Sequence, residues 1–124
     1  MSNTTAPKTV TFDGERYRTA SLRAEIDAIA QAHEDSGWVR SLDSHLIESA
    51  LLSLAARREF GRSAWVYNTR ADSRTQDGSR REVEVTVGRG ARNRDGSQDV
   101  SRMWAIIRRD EIAAAASALT ATDA

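Results

Sequence analysis

The stretch Arg81-Glu82-Val83-Glu84-Val85-Thr86-Val87-Gly88 decides the fold. Its valines take every second position and its polar residues the positions between, the period of a half-buried β-strand. Just upstream, Asp77-Gly78 supplies a turn, and Ala64-Trp65-Val66-Tyr67-Asn68-Thr69 is read as a second strand, so the two form a hairpin. Downstream, residues 102–108 carry Met103, Trp104, Ala105, Ile106 and Ile107 in succession. A strand apolar on both faces is expected in the interior of a sheet.

Before Gly61 the period is helical. Leu22, Ile26, Ile29 and His33 make one narrow stripe of a helix over residues 22–35, with Ser21 as N-cap and Gly37 as stop. A second helix over 43–60, capped by Asp43 and ended by Gly61, is apolar over more than half its circumference. It is therefore expected to be central. Leu52 falls outside that arc, among His45, Glu48 and Glu59, and is read as an exposed leucine that marks a contact. A last helix begins at Asp110 as cap and buries Ile112, Ala115, Ala116 and Leu119.

At the other end of the chain, residues 10–17 form a tight hairpin around Asp13-Gly14, a pair suited to the positive-φ positions of a type I′ turn. Val10 then faces Tyr17, with Phe12 on the same side. The order is hairpin, helix, helix, three strands, helix. The expected fold is α+β: a small antiparallel sheet, built from the N-terminal hairpin plus three later strands, with helices packed on one face. One domain spans residues 8–120, with a disordered stretch at 1–7 and a frayed end at 121–124. An alternative makes the second helix and residues 64–88 a winged-helix module.

Composition narrows the function. The hydrophobic share is 40%, yet 20 of those residues are alanine and only 7 are aromatic, so the core is lean. A lean core favours self-association or a small two-layer fold. With no cysteine there is no disulfide, thiolate nucleophile or cysteine-bound metal. No apolar run approaches the roughly 20 residues that span a bilayer. The polar start lacks the apolar segment of a secretion signal, so a cytoplasmic protein is expected. Net charge is zero but uneven: residues 57–109 hold 13 basic against 7 acidic side chains. All basic residues but Lys8 are arginine, and alanine is high too, which fits coding bias in a GC-rich bacterium or its phage or plasmid.

Tests for chemistry return little. His33 lies in an apolar stripe, and His45 is on the polar side of its helix. Neither has a second ligand at a recognised spacing, and a ligand-binding or enzymatic role for them is the third reading. No serine sits in a nucleophile elbow. Gly88-Arg89-Gly90 lacks the Gly-Lys-Ser/Thr of a phosphate loop. No cofactor and no metal are expected.

Two surfaces remain. Trp65 and Trp104 sit on strands with apolar residues on both sides, so helices on one face would leave indoles exposed on the other, with Leu52 as a further contact. The first reading is a non-enzymatic protein-interaction module whose partner is another protein or its own copy. Arg70, Arg74, Arg80, Arg81, Arg89, Arg92 and Arg94 line both ends of the second hairpin and carry the alternative, a nucleic-acid-binding regulator contacting phosphates.

Overall fold

A computed structural model describes residues 7–35, 44–90 and 93–121, the side chains of residues 33–35 and 72 excepted. The expected roles of Gly37 and Asp43 lie outside the described residues, as does most of each expected disordered or frayed terminus. In chain order the elements are β1 (Thr9–Phe12), β2 (Glu15–Arg18), α1 (Thr19–Asp35), α2 (Ser44–Phe60), β3 (Ala64–Arg74), β4 (Arg80–Arg89), β5 (Val100–Arg108) and α3 (Arg109–Thr120). The fold is α+β, with the helices gathered on one face of an antiparallel sheet.

The first hairpin folds as its sequence dictates. Asp13 and Gly14 sit at φ 51° and 79°, and Val10 pairs with Tyr17. Its two strands pair only with each other, while the later strands form a separate sheet in the order β3-β4-β5. Side chains anchor the hairpin instead. Phe12 is 1% exposed in the core. Beside it, Asp13 Oδ2 accepts the Ile106 N–H at 3.3 Å, the Asp13 N–H donates to Glu111 Oε1 at 2.9 Å, and Arg108 Nη1 lies 3.5 Å from Asp13 Oδ1. One turn is thereby fastened to both β5 and α3.

The core is the layer between helices and sheet. Val83, Val85 and Val87 of β4 meet Leu46, Ile47, Ala50 and Leu51 of α2, with Leu22 of α1 and Ile112 and Ala115 of α3 in the same cluster. Gly61, at φ 101°, ends α2, its N–H donating to the Arg57 carbonyl at 2.8 Å. Ion pairs tie the layers at their rims, Arg57 to Glu25 between the first two helices and Arg81 to Glu48 between sheet and α2.

The structure corrects five expectations. β5 is an edge strand, not an internal one, and β4 is central. Met103, Ala105 and Ile107 of β5 turn toward the core, so its other apolar residues stand on the outer face. Leu52 is buried at 6% exposure, in a cleft between Ile29 of α1 and Val66 of β3, so it is not a surface contact. α1 starts at Thr19, whose N–H donates to the Lys8 carbonyl and whose hydroxyl donates to that of Pro7, so Ser21 is no cap. The position before α3 is Arg108, which makes no side-chain cap; Asp110 accepts only from the next N–H. Finally, residues 64–88 form no projecting wing, because β3 and β4 lie in the three-stranded sheet under α2.

Candidate protein-interaction face

The sheet has one covered and one open side, and the register assigns each residue. On β4 the inward valines alternate with Glu82, Glu84, Thr86 and Gly88. These pair across with Ile106, Trp104, Arg102 and Val100 of β5. On the other side they pair with Ser73, Arg70, Asn68 and Trp65 of β3. Two register shifts in β3, between Val66 and Asn68 and between Ala71 and Ser73, keep this pairing. Each inserts one residue and flips the parity that follows. Without the first shift Arg70 would point into the core.

The open face is aromatic at both margins. Trp65 is 40% exposed, Tyr67 53%, Val100 47% and Trp104 54%. They are the exposed large hydrophobics among the described residues, and one face holds them all. Trp65 and Tyr67 pack ring to ring with centroids 5.4 Å apart. The Trp65 indole lies against Gly88, where a Cβ would come within 2.5 Å of its ring carbons. Gly88 is thus a seat for the indole, covering a glycine that would otherwise weaken the strand. Between the margins run Arg70, Glu84 and Arg102, so apolar rings are interleaved with charge.

No family model, curated protein or solved structure matches this chain. The site therefore rests on its own geometry.

The arginines of the alternative reading do not converge. Arg80 lies 3.6 Å from Glu82, and Arg81 turns to the helix side to pair with Glu48. Arg70 is on the open face, and Arg74 is exposed at the end of β3. Arg89 ends β4 at the opposite end of the sheet, Arg94 lies in the loop after it, and Arg92 lies outside the described residues. The ten residues of β4 set Arg80 and Arg89 roughly 30 Å apart at about 3.3 Å per residue, with Arg70 midway along the sheet opposite Glu84. His45 is exposed beside a shallow groove, the His33 side chain lies outside the described residues, and the described residues hold no metal-binding cluster. Among them no helix is long and apolar enough to cross a membrane.

Both sheet loops are held by short-range hydrogen bonds. Asp77 Oδ1 accepts the Ser79 N–H at 2.9 Å and the Thr75 hydroxyl at 2.7 Å. These bonds, the Ser79 N–H foremost, lower the Asp77 pKa from 3.8 to about 2. Asp95 is lowered for the same reason, by the Ser97 hydroxyl first and its N–H second. Because the folded value of Asp77 lies below the unfolded one, the turn's contribution is complete above pH 3.8 and is lost as pH falls toward 2. We expect Asp77→Asn to lower the urea midpoint at pH 6 and the gap to wild type to close by pH 2. A gap that stays constant with pH would show that the carboxylate does not hold the turn.

Sequence reasoning found Trp65 and Trp104 but missed Tyr67, Val100 and Gly88. Tyr67 was legible, since it stands two residues from Trp65 in the same strand. Gly88 was not, because its role appears only once β3 and β4 are in register.

Proposed function

We propose that this protein is a non-enzymatic interaction module that binds a protein through the open face of its sheet. The observation that carries this reading is the gathering of Trp65, Tyr67, Val100 and Trp104 on one uncovered face. Exposed aromatics next to arginine are the composition of binding hot spots. Such a patch is rare on a surface meant only for water. The rings are also presented by a rigid sheet, so little side-chain freedom is lost on binding.

The test is affinity capture from an extract of the host cell, with and without nuclease, using wild type and Trp65→Ser/Trp104→Ser. A protein recovered in both nuclease conditions, and bound roughly 30-fold more weakly by the double variant, is the expected result. The double variant should still unfold cooperatively in urea, since neither ring belongs to the core cluster. Binding that vanishes with nuclease would move the function to nucleic acid. Binding indifferent to the two substitutions would remove the face from the account.

A further inference from the structure

The two edges of the three-stranded sheet are built differently. The free edge of β3 carries both register shifts, which bend and twist a strand and blunt it against pairing. β5 is regular along its whole paired length. Its hydrogen-bond alternation is fixed at two points. The Arg89 N–H reaches the Asp99 carbonyl at 2.9 Å, so odd-numbered positions face β4. The Ile106 N–H turns away from β4 to Asp13 Oδ2, so even-numbered positions face the free edge. Asp13 thus closes the edge at Ile106. It leaves the N–H and C=O groups of Val100, Arg102 and Trp104 directed outward, along a groove of about 340 Å³ whose lining includes Tyr17, Ala55, Arg58, Met103 and Ala105.

We propose that two copies of this chain pair antiparallel along this edge, about a twofold axis at Met103. This goes beyond the open-face reading: the pairing uses the edge of β5 and leaves the joined open faces free for the partner of that reading, on which it rests only through Trp104. Three twofold registers pair at least two of the open positions; the one at Met103 bonds only Arg102 and Trp104, because it brings Val100 opposite the closed Ile106 of the partner subunit. An axis at Arg102 sets two guanidinium groups directly opposite one another, which repel. An axis at Ser101 leaves Trp104 unpaired. An axis at Met103 sets Arg102 opposite the partner subunit's Trp104 and repeats the contact by symmetry. Guanidinium over indole is attractive. On the strand behind that indole stands Glu84, the cross-strand neighbour of Trp104. It lies about 10 Å from the pairing strand at ~4.8 Å per strand step, within reach of an arginine laid across the ring. The charge pattern is therefore complementary to itself. On the core side, the partner subunit's Met103 enters the groove beside Tyr17 and Ala55, a role suited to a flexible thioether. The result is a continuous six-stranded sheet whose open faces form one surface.

Sedimentation equilibrium from 1 to 200 µM tests this on the full chain, with the urea midpoint of each variant showing that it is folded. Wild type should be a dimer. Arg102→Pro removes an edge-facing N–H without touching the ladder to β4, and it should raise the dimer dissociation constant at least tenfold, as should Trp104→Ala. Arg102→Glu should weaken the dimer and Arg102→Glu/Glu84→Arg should restore it, whereas Thr69→Ala, exposed on the far strand, should leave it unchanged. A monomer at 200 µM, or a dimer insensitive to Arg102→Pro, overturns the proposal. A monomer that still captures a protein through Trp65 and Trp104 overturns this pairing alone, and a monomer that captures nothing overturns the open-face reading with it.

Discussion

Replacing Phe12 with alanine is expected to lower the unfolding free energy by about 3–5 kcal/mol, the cost of deleting a fully buried aromatic side chain. Against the roughly 5–15 kcal/mol that stabilises a domain of this kind, that is a large fraction. The site explains the magnitude. Phe12 is 1% exposed, and its neighbour Asp13 carries the bonds to Ile106, Glu111 and Arg108. The ring is what seats the turn. Loss of its packing removes apolar burial and loosens the only turn that ties the first hairpin to β5 and α3 among the described contacts. The lean core has few large side chains to close the cavity. Urea unfolding checks this: the midpoint should fall with little change in slope, because the surface exposed on unfolding is nearly the same. A loss below about 1 kcal/mol would mean that the hairpin is dispensable to the core.

Gly88→Val is expected to leave the fold standing and disable the open face. The new Cβ branch would occupy the space of the Trp65 indole, since even a Cβ would come within 2.5 Å of the ring. The clash is with the far end of a side chain, so the ring swings out and the backbone keeps its place. Valine gains up to about 1 kcal/mol in strand preference, which offsets the packing lost over the glycine. Stability should therefore change by roughly 1 kcal/mol or less. Binding should not be spared. A displaced tryptophan anchor costs about 2 kcal/mol or more, or roughly 30-fold in affinity. Tryptophan emission should shift to longer wavelength as the ring enters water. Unchanged emission together with unchanged binding would show that Gly88 does not position Trp65.

The indole of Trp65 and the side chain of Leu52 show how far a sequence carries such a site. An exposed Trp65 is expected because its strand is apolar on both faces while helices cover only one, and its ring stands on the open face. Leu52 was placed outward by a helical arc, and the structure buries it. The arc assumed neighbours on a bounded part of the helix, whereas α1 and β3 close over α2 on the side where Leu52 stands. A helix covered from more than two directions has no blank sector, and its own sequence does not report how many neighbours it has.

β5 carries the same lesson in the opposite direction. Residues 103–107 are apolar in succession, and such a run is the mark of a strand with both faces covered. Here it belongs to an edge strand whose outer face is bare. Apolar side chains on an open face look, in sequence, the same as side chains in a core.

The chain by itself determined what depends on near neighbours: the Asp13-Gly14 turn, the alternation of Val83, Val85 and Val87, the helical stripes, and the α+β order that follows from them. Those features arise from φ preferences and from side-chain periods of two and 3.6, which act over a few residues. Only the tertiary structure decided which strand lies at the edge, that one inserted residue turns Arg70 outward, that Gly88 seats an indole, and that Asp13 closes one position of an otherwise open strand. Each of these depends on contacts between residues distant in sequence, where register and cover are set by the packing of the whole molecule.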